Sequence, residues 1–132
     1  MELPYSLDGD IIKIPLNHFG EFYIDSIENI ERYENRVVEF EGKALFSEEL
    51  PPNSFYLARP ALTCCIDDIQ PIGHLCSYQD GDNIAPDAWI KLTAIIHYLE
   101  FKNTQGKQLI LEYLSSEEID TPPLEEQLVK LQ

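Results

Sequence analysis

The sequence predicts an all-β domain with minor α content: a small Greek-key barrel of the oligonucleotide/oligosaccharide-binding (OB) type, preceded by a helix. Three observations predict it. Five stretches rich in strand-forming residues follow one another after residue 35, separated by turn residues. The first carries a glycine, Gly42, in its middle, as expected where a strand bulges or bends sharply. The last two flank Asn103-Thr-Gln-Gly106 and read as one long hairpin. An immunoglobulin-like sandwich would want more strands and more regular turns.

Asp10 to Pro15 reads as a short edge strand that Pro15 ends. Phe22-Tyr-Ile24 is strand-like. A helix is expected to follow, capped by Asp25 or Ser26, with Ile27, Ile30 and Tyr33 on one face. Asn35 breaks that pattern. The five principal strands are then Arg36–Phe46, Ser54–Arg59, Pro71–Tyr78, Ala88–Phe101 and Gln108–Leu114. The fourth is too long for a straight strand and suits one that curves around a barrel. A turn with Pro51-Pro52 and a loop at Gln79-Asp-Gly-Asp-Asn83 separate them. Expected boundaries are therefore 1–35 for a strand and helix packed on the barrel, 36–120 for the barrel, and 121–132 for an acidic, partly helical tail.

Composition narrows the function. With 24 acidic and 9 basic residues the formal net charge is −15. Such a surface repels phosphate backbones and anionic lipid, so no nucleic-acid partner is expected. It suits cation attraction, high solubility or docking to a basic partner. Tyr56, Tyr78, Trp89, Tyr98 and Phe101 are accordingly expected to build core rather than a base-stacking platform. Three cysteines are too few for a disulfide scaffold. No stretch approaches the ~20 apolar residues of a membrane span, and no signal peptide is visible, so the chain as given reads as soluble.

The densest chemistry lies in Arg59-Pro-Ala-Leu-Thr-Cys-Cys-Ile-Asp-Asp68, running on to Pro71-Ile-Gly73, with His74 and Cys76 beyond. Together with Gly42-Lys43, Asn53-x-Phe55 and Trp89, this segment resembles the C-terminal soluble domain of the smaller subunit of a bacterial two-component membrane permease complex. The resemblance covers about Ile12 to Pro122 and centres on Arg-x-x-x-Thr-Cys-Cys-x-x-Asp. It implies a membrane-associated setting, transmembrane helices N-terminal to the domain, and a separate permease subunit as partner. It implies a setting rather than a mechanism. Asp67 and Ile69 stand where that family usually has small residues, and His74 and Cys76 are not part of its motif.

The family-motif residues Arg59, Thr63, Cys64, Cys65 and Asp68 are the expected binding surface, with Arg59 paired to Asp68 across a turn. An alternative is a zinc site from Cys64, Cys65, His74 and Cys76, which are chemically adequate ligands. His74 and Cys76 are two apart and share a strand face, whereas adjacent Cys64 and Cys65 point to opposite faces of a strand. A reactive thiol is disfavoured by the flanking Asp67 and Asp68, and no oxyanion signature accompanies it. The domain is therefore expected to be a non-catalytic accessory or ligand-binding module without a cofactor.

Overall fold

The computed structural model describes residues 2–62, 69–100 and 106–131. In chain order these form β1 (Ile11–Lys13), α1 (Phe19–Glu28), α2 (Ile30–Tyr33), β2 (Val37–Leu45), β3 (Ser54–Leu62), β4 (Gln70–Ser77), β5 (Trp89–Glu100), β6 (Lys107–Glu118), α3 (Leu124–Gln127) and β7 (Val129–Lys130).

The five long strands close on themselves. β2 pairs antiparallel with β5 over 37–43 and with β3 over 43–45. β3 pairs with β4 along its length, and β5 with β6. The ring is completed by a parallel contact of β4 with β6, described only over 75–77 against 110–112. This cyclic order, β2-β5-β6-β4-β3 and back to β2, is the OB-type barrel. The short β1 lies at the sheet edge beside β2, as expected, and β7 lies at the other edge beside β3.

Alternation along each strand fills the interior. Val38, Phe40 and Ala44 of β2 are buried, as are Phe55, Leu57 and Ala61 of β3 and Leu92, Ala94 and Ile96 of β5. The register shift falls between Thr93 and Ala94, where β5 bends around the barrel against β6. Gly42, expected to mark a bulge, pairs with Ile90 in unbroken register. It serves close approach instead: a Cβ there would lie 3.0 Å from the Leu57 side chain and 3.1 Å from the Ala58 carbonyl oxygen. Gly73 is tighter still. A Cβ would run into the Leu57 carbonyl and lie 2.9 Å from the Ala58 Cα.

The N-terminal region departs from expectation. Phe22-Tyr-Ile24 is not strand-like but lies inside α1, which begins at Phe19. Asp25 and Ser26 are not caps; they are interior helix residues, 4% and 0% exposed. Tertiary packing overrides the β-propensity of Tyr and Ile here. Phe19 and Phe22, three apart, both pack on Phe40 of the barrel, with ring centroids 5.5 and 5.3 Å away. That choice of face turns Ile27 out to 52% exposure, so Ile27, Ile30 and Tyr33 do not form one buried stripe.

A polar cluster locks α1 to α2. Asp25 accepts hydrogen bonds from Asn29 Nδ2 (2.6 Å), Arg32 Nη1 (2.8 and 3.0 Å) and the Tyr33 hydroxyl (2.6 Å). Since the Tyr33 proton goes to Asp25, the Tyr5 hydroxyl donates to Tyr33 at 2.7 Å. Burial raises Tyr5 to about 12 and pushes Tyr33 up as well, so both stay protonated and keep donating. At the other end β6 runs on to Glu118, four residues past the expected Leu114. The segment 121–131 then returns to the barrel, where Val129 and Lys130 pair parallel with Ala61 and Leu62.

Gly73→Ala is expected to lower unfolding free energy by at least about 3 kcal/mol, because the obstruction is backbone and cannot rotate away. Gly81→Ala meets no atom within 4 Å but sits at φ +99°, and is expected to cost only about 1–2 kcal/mol. Urea unfolding midpoints of the two variants check the contrast; equal costs would refute it.

Candidate functional site

Arg59, the first residue of the motif, lies on the interior face of β3 and is 2% exposed. Its guanidinium stacks at 5.5 Å over Phe19 and 5.6 Å over Trp89. Nε donates to the Gln127 carbonyl at 3.0 Å and Nη2 to the Glu126 carbonyl at 2.9 Å. These are carbonyls of the last turn of α3, where the partial charge is negative and a cation belongs. Burial lowers Arg59 to about 10, so it stays charged at neutral pH. Arg59 thus ties the C-terminal segment to the barrel, a role its sequence position gives no hint of.

Its expected partner, Asp68, lies outside the described residues, as do Thr63, Cys64 and Cys65. The segment 63–68 connects β3 to β4, whose last paired residues are Ala61 and Gln70. At its root is a hollow of about 290 Å³ lined by Lys43, Pro60, Pro71, Trp89, Leu124 and the Arg59 side chain, among others. The lining is mainly apolar, and Leu124 is 64% exposed.

His74 and Cys76 share the interior face of β4, as their spacing predicts; they are 5% and 0% exposed. The His74 ring stacks on Tyr23 at 5.3 Å and meets Phe22 edge-on at 5.8 Å. Its Nε2 is 3.4 Å from the Ser26 hydroxyl. Burial drops His74 to about 4, so the ring is neutral at physiological pH. Cys76 packs in the core and burial pushes its thiol up, which removes it as a nucleophile. Among the described residues no group of three or more His, Cys, Asp or Glu converges as a metal site would need. His18 and His97 are on the surface, each beside a glutamate at 2.7 and 2.8 Å.

Of the aromatic set, Trp89 and Tyr98 are buried, Tyr56 and Tyr78 are half-buried, and Phe101 is outside the described residues. Tyr56 and Tyr98 instead line a second cleft that sequence reading missed. It opens where β4 and β6 diverge, and α1 forms its other wall. Its residues come from five elements far apart in the chain, so no local spacing signals it. No helix among the described residues is long and apolar enough to cross a membrane.

The chain belongs to the DUF1980 C-terminal domain family, whose model matches residues 3–125. No curated protein matches the chain.

Two measurements probe this geometry. Arg59→Met is expected to release the C-terminal segment: amide exchange at Val129 and Lys130 accelerates, and stability falls by about 2–3 kcal/mol for the two charge-assisted bonds lost. Unchanged exchange at these amides would contradict the pinning role. The second concerns His74. Its folded value of about 4 lies below the ordinary 6.5, so below pH 6.5 the unfolded chain binds a proton that the folded one refuses. The stability tied to neutral His74 is therefore complete above pH 6.5 and lost as pH falls toward 4, at up to about 1.4 kcal/mol per unit. Urea midpoints at pH 7.5 and 5.0 are expected to differ more for the wild type than for His74→Gln; parallel pH profiles would disprove the coupling.

Proposed function

We propose that this DUF1980 C-terminal domain is a non-catalytic accessory module of a membrane permease complex, and that it docks on a separate permease subunit through the barrel end carrying segment 63–68. The observation that carries the reading is the mainly apolar hollow at the root of that segment, beside the exposed Leu124. An apolar depression rimmed by charge is the kind of surface that receives an anchoring side chain from a partner. The motif Thr63-Cys-Cys-x-x-Asp68 sits next to it in sequence, and a formal charge of −15 favours a basic partner surface through steering. Cys76 is fully buried with its thiol protonated, and the neutral His74 is only 5% exposed, so the two do not present an accessible nucleophile and base together. The resemblance of the motif to the smaller permease subunit supplies the identity of the partner.

The reading is tested by co-expressing the domain with the permease subunit and measuring their affinity in detergent. Leu124→Glu combined with Cys64→Ser and Cys65→Ser is expected to weaken association by about tenfold or more. The urea midpoint of Leu124→Glu alone should stay within about 1 kcal/mol of wild type, since Leu124 is exposed. An unassociated wild type, or a triple variant that binds as tightly as wild type, would overturn the proposal.

A further inference from the structure

β4 is paired with β3 along its whole length, but on its other edge it meets β6 only from residue 75 onward, among the described residues. Below that point the two strands separate, and α1 wedges against the opening: Tyr23 stacks on His74, and the Tyr98 hydroxyl donates to the Ser26 carbonyl at 2.5 Å. A cleft of about 610 Å³ remains, within the range that small molecules occupy. Its walls present Tyr23, Tyr56, Tyr98, Ile27 and Leu109, with Lys107 at the strand end. Among the described residues no carboxylate lines this cleft. Among the described residues its one formal charge is the Lys107 ammonium, which stands opposite Glu100 on β5 but is within ion-pair distance of no described carboxylate. His74 in the floor is neutral and adds no charge.

From this juxtaposition of three tyrosines, an open strand edge and one cation, we infer that the seam between β4 and β6 is a binding site for a small aromatic monocarboxylate. The ring stacks among the tyrosines, which favour offset or edge-on aromatic contacts. The carboxylate faces Lys107. A cationic ligand meets Lys107 as a like charge, and a polyanion is repelled by the net negative charge of the protein. This site shares no described lining residue with the hollow beside Leu124 and does not depend on the docking reading.

The test is calorimetric titration of the purified domain with indole-3-carboxylate and, in parallel, with the uncharged indole-3-carboxamide and the cationic tryptamine. Saturable binding of the carboxylate below about 1 mM is expected, at least about fivefold tighter than either analogue. Lys107→Glu should abolish that preference. Ile27→Trp, at a 52% exposed position on the cleft wall, should block binding of the carboxylate without lowering the unfolding midpoint. No saturable binding up to about 10 mM would overturn the inference. So would a carboxylate affinity unchanged in both variants, or tryptamine binding as tightly as the carboxylate. Loss of this binding with permease association intact would separate it from the docking proposal.

Discussion

Closure of the barrel through β2 is the constraint on which the rest depends. One strand has to hydrogen-bond to β5 on one edge and to β3 on the other. That requires the backbones of β2, β3 and β4 to pass closely, and two positions without side chains permit it. Gly42 faces Leu57, and Gly73 faces the backbone of Leu57 and Ala58. With those contacts made, the alternating apolar residues of all five strands converge on one core rather than on two sheet faces. The parallel contact of β4 with β6 is the weak sector of the ring, since it holds only over 75–77 among the described residues.

The two ends of the chain respond to that weak sector and to the exposed edges. α1 wedges beside the seam, burying Phe19 and Phe22 against Phe40, and the Asp25 cluster fixes α2 and Tyr5 to it. β1 covers the free part of β2, and β7 covers the end of β3. Strand edges left open invite pairing with other chains, so short covering strands of this kind also limit aggregation. Arg59 is the hinge of the second arrangement. It is a buried cation with its charge placed between two aromatic faces and two helix-terminal carbonyls, which offsets its desolvation.

The same geometry decides where the chemically reactive residues sit. His74 and Cys76 look like chemistry in a sequence, yet both point into the barrel, where burial holds the imidazole neutral and the thiol protonated. Two surface depressions differ in character: a mainly apolar hollow beside Leu124, and an aromatic cleft along the β4–β6 seam with His74 in its floor.

Strand periodicity and turn residues determined the five barrel strands, because a period of two is a local property that burial on one face enforces. Spacing alone also determined that His74 and Cys76 share a face. The charge of −15 is likewise a property of the sequence. The start of α1 was not legible, since Phe22-Tyr-Ile24 has strand-forming residues and becomes helical only because Phe40 offers Phe19 and Phe22 a surface. Nor was the role of Arg59, whose acceptors lie 67 and 68 residues away. The place of Gly42 depended on how near Leu57 comes, and the seam cleft on five elements meeting in space. Local pattern encodes which face a residue takes; only tertiary structure decides what that face meets, because long-range contacts leave no spacing in the chain.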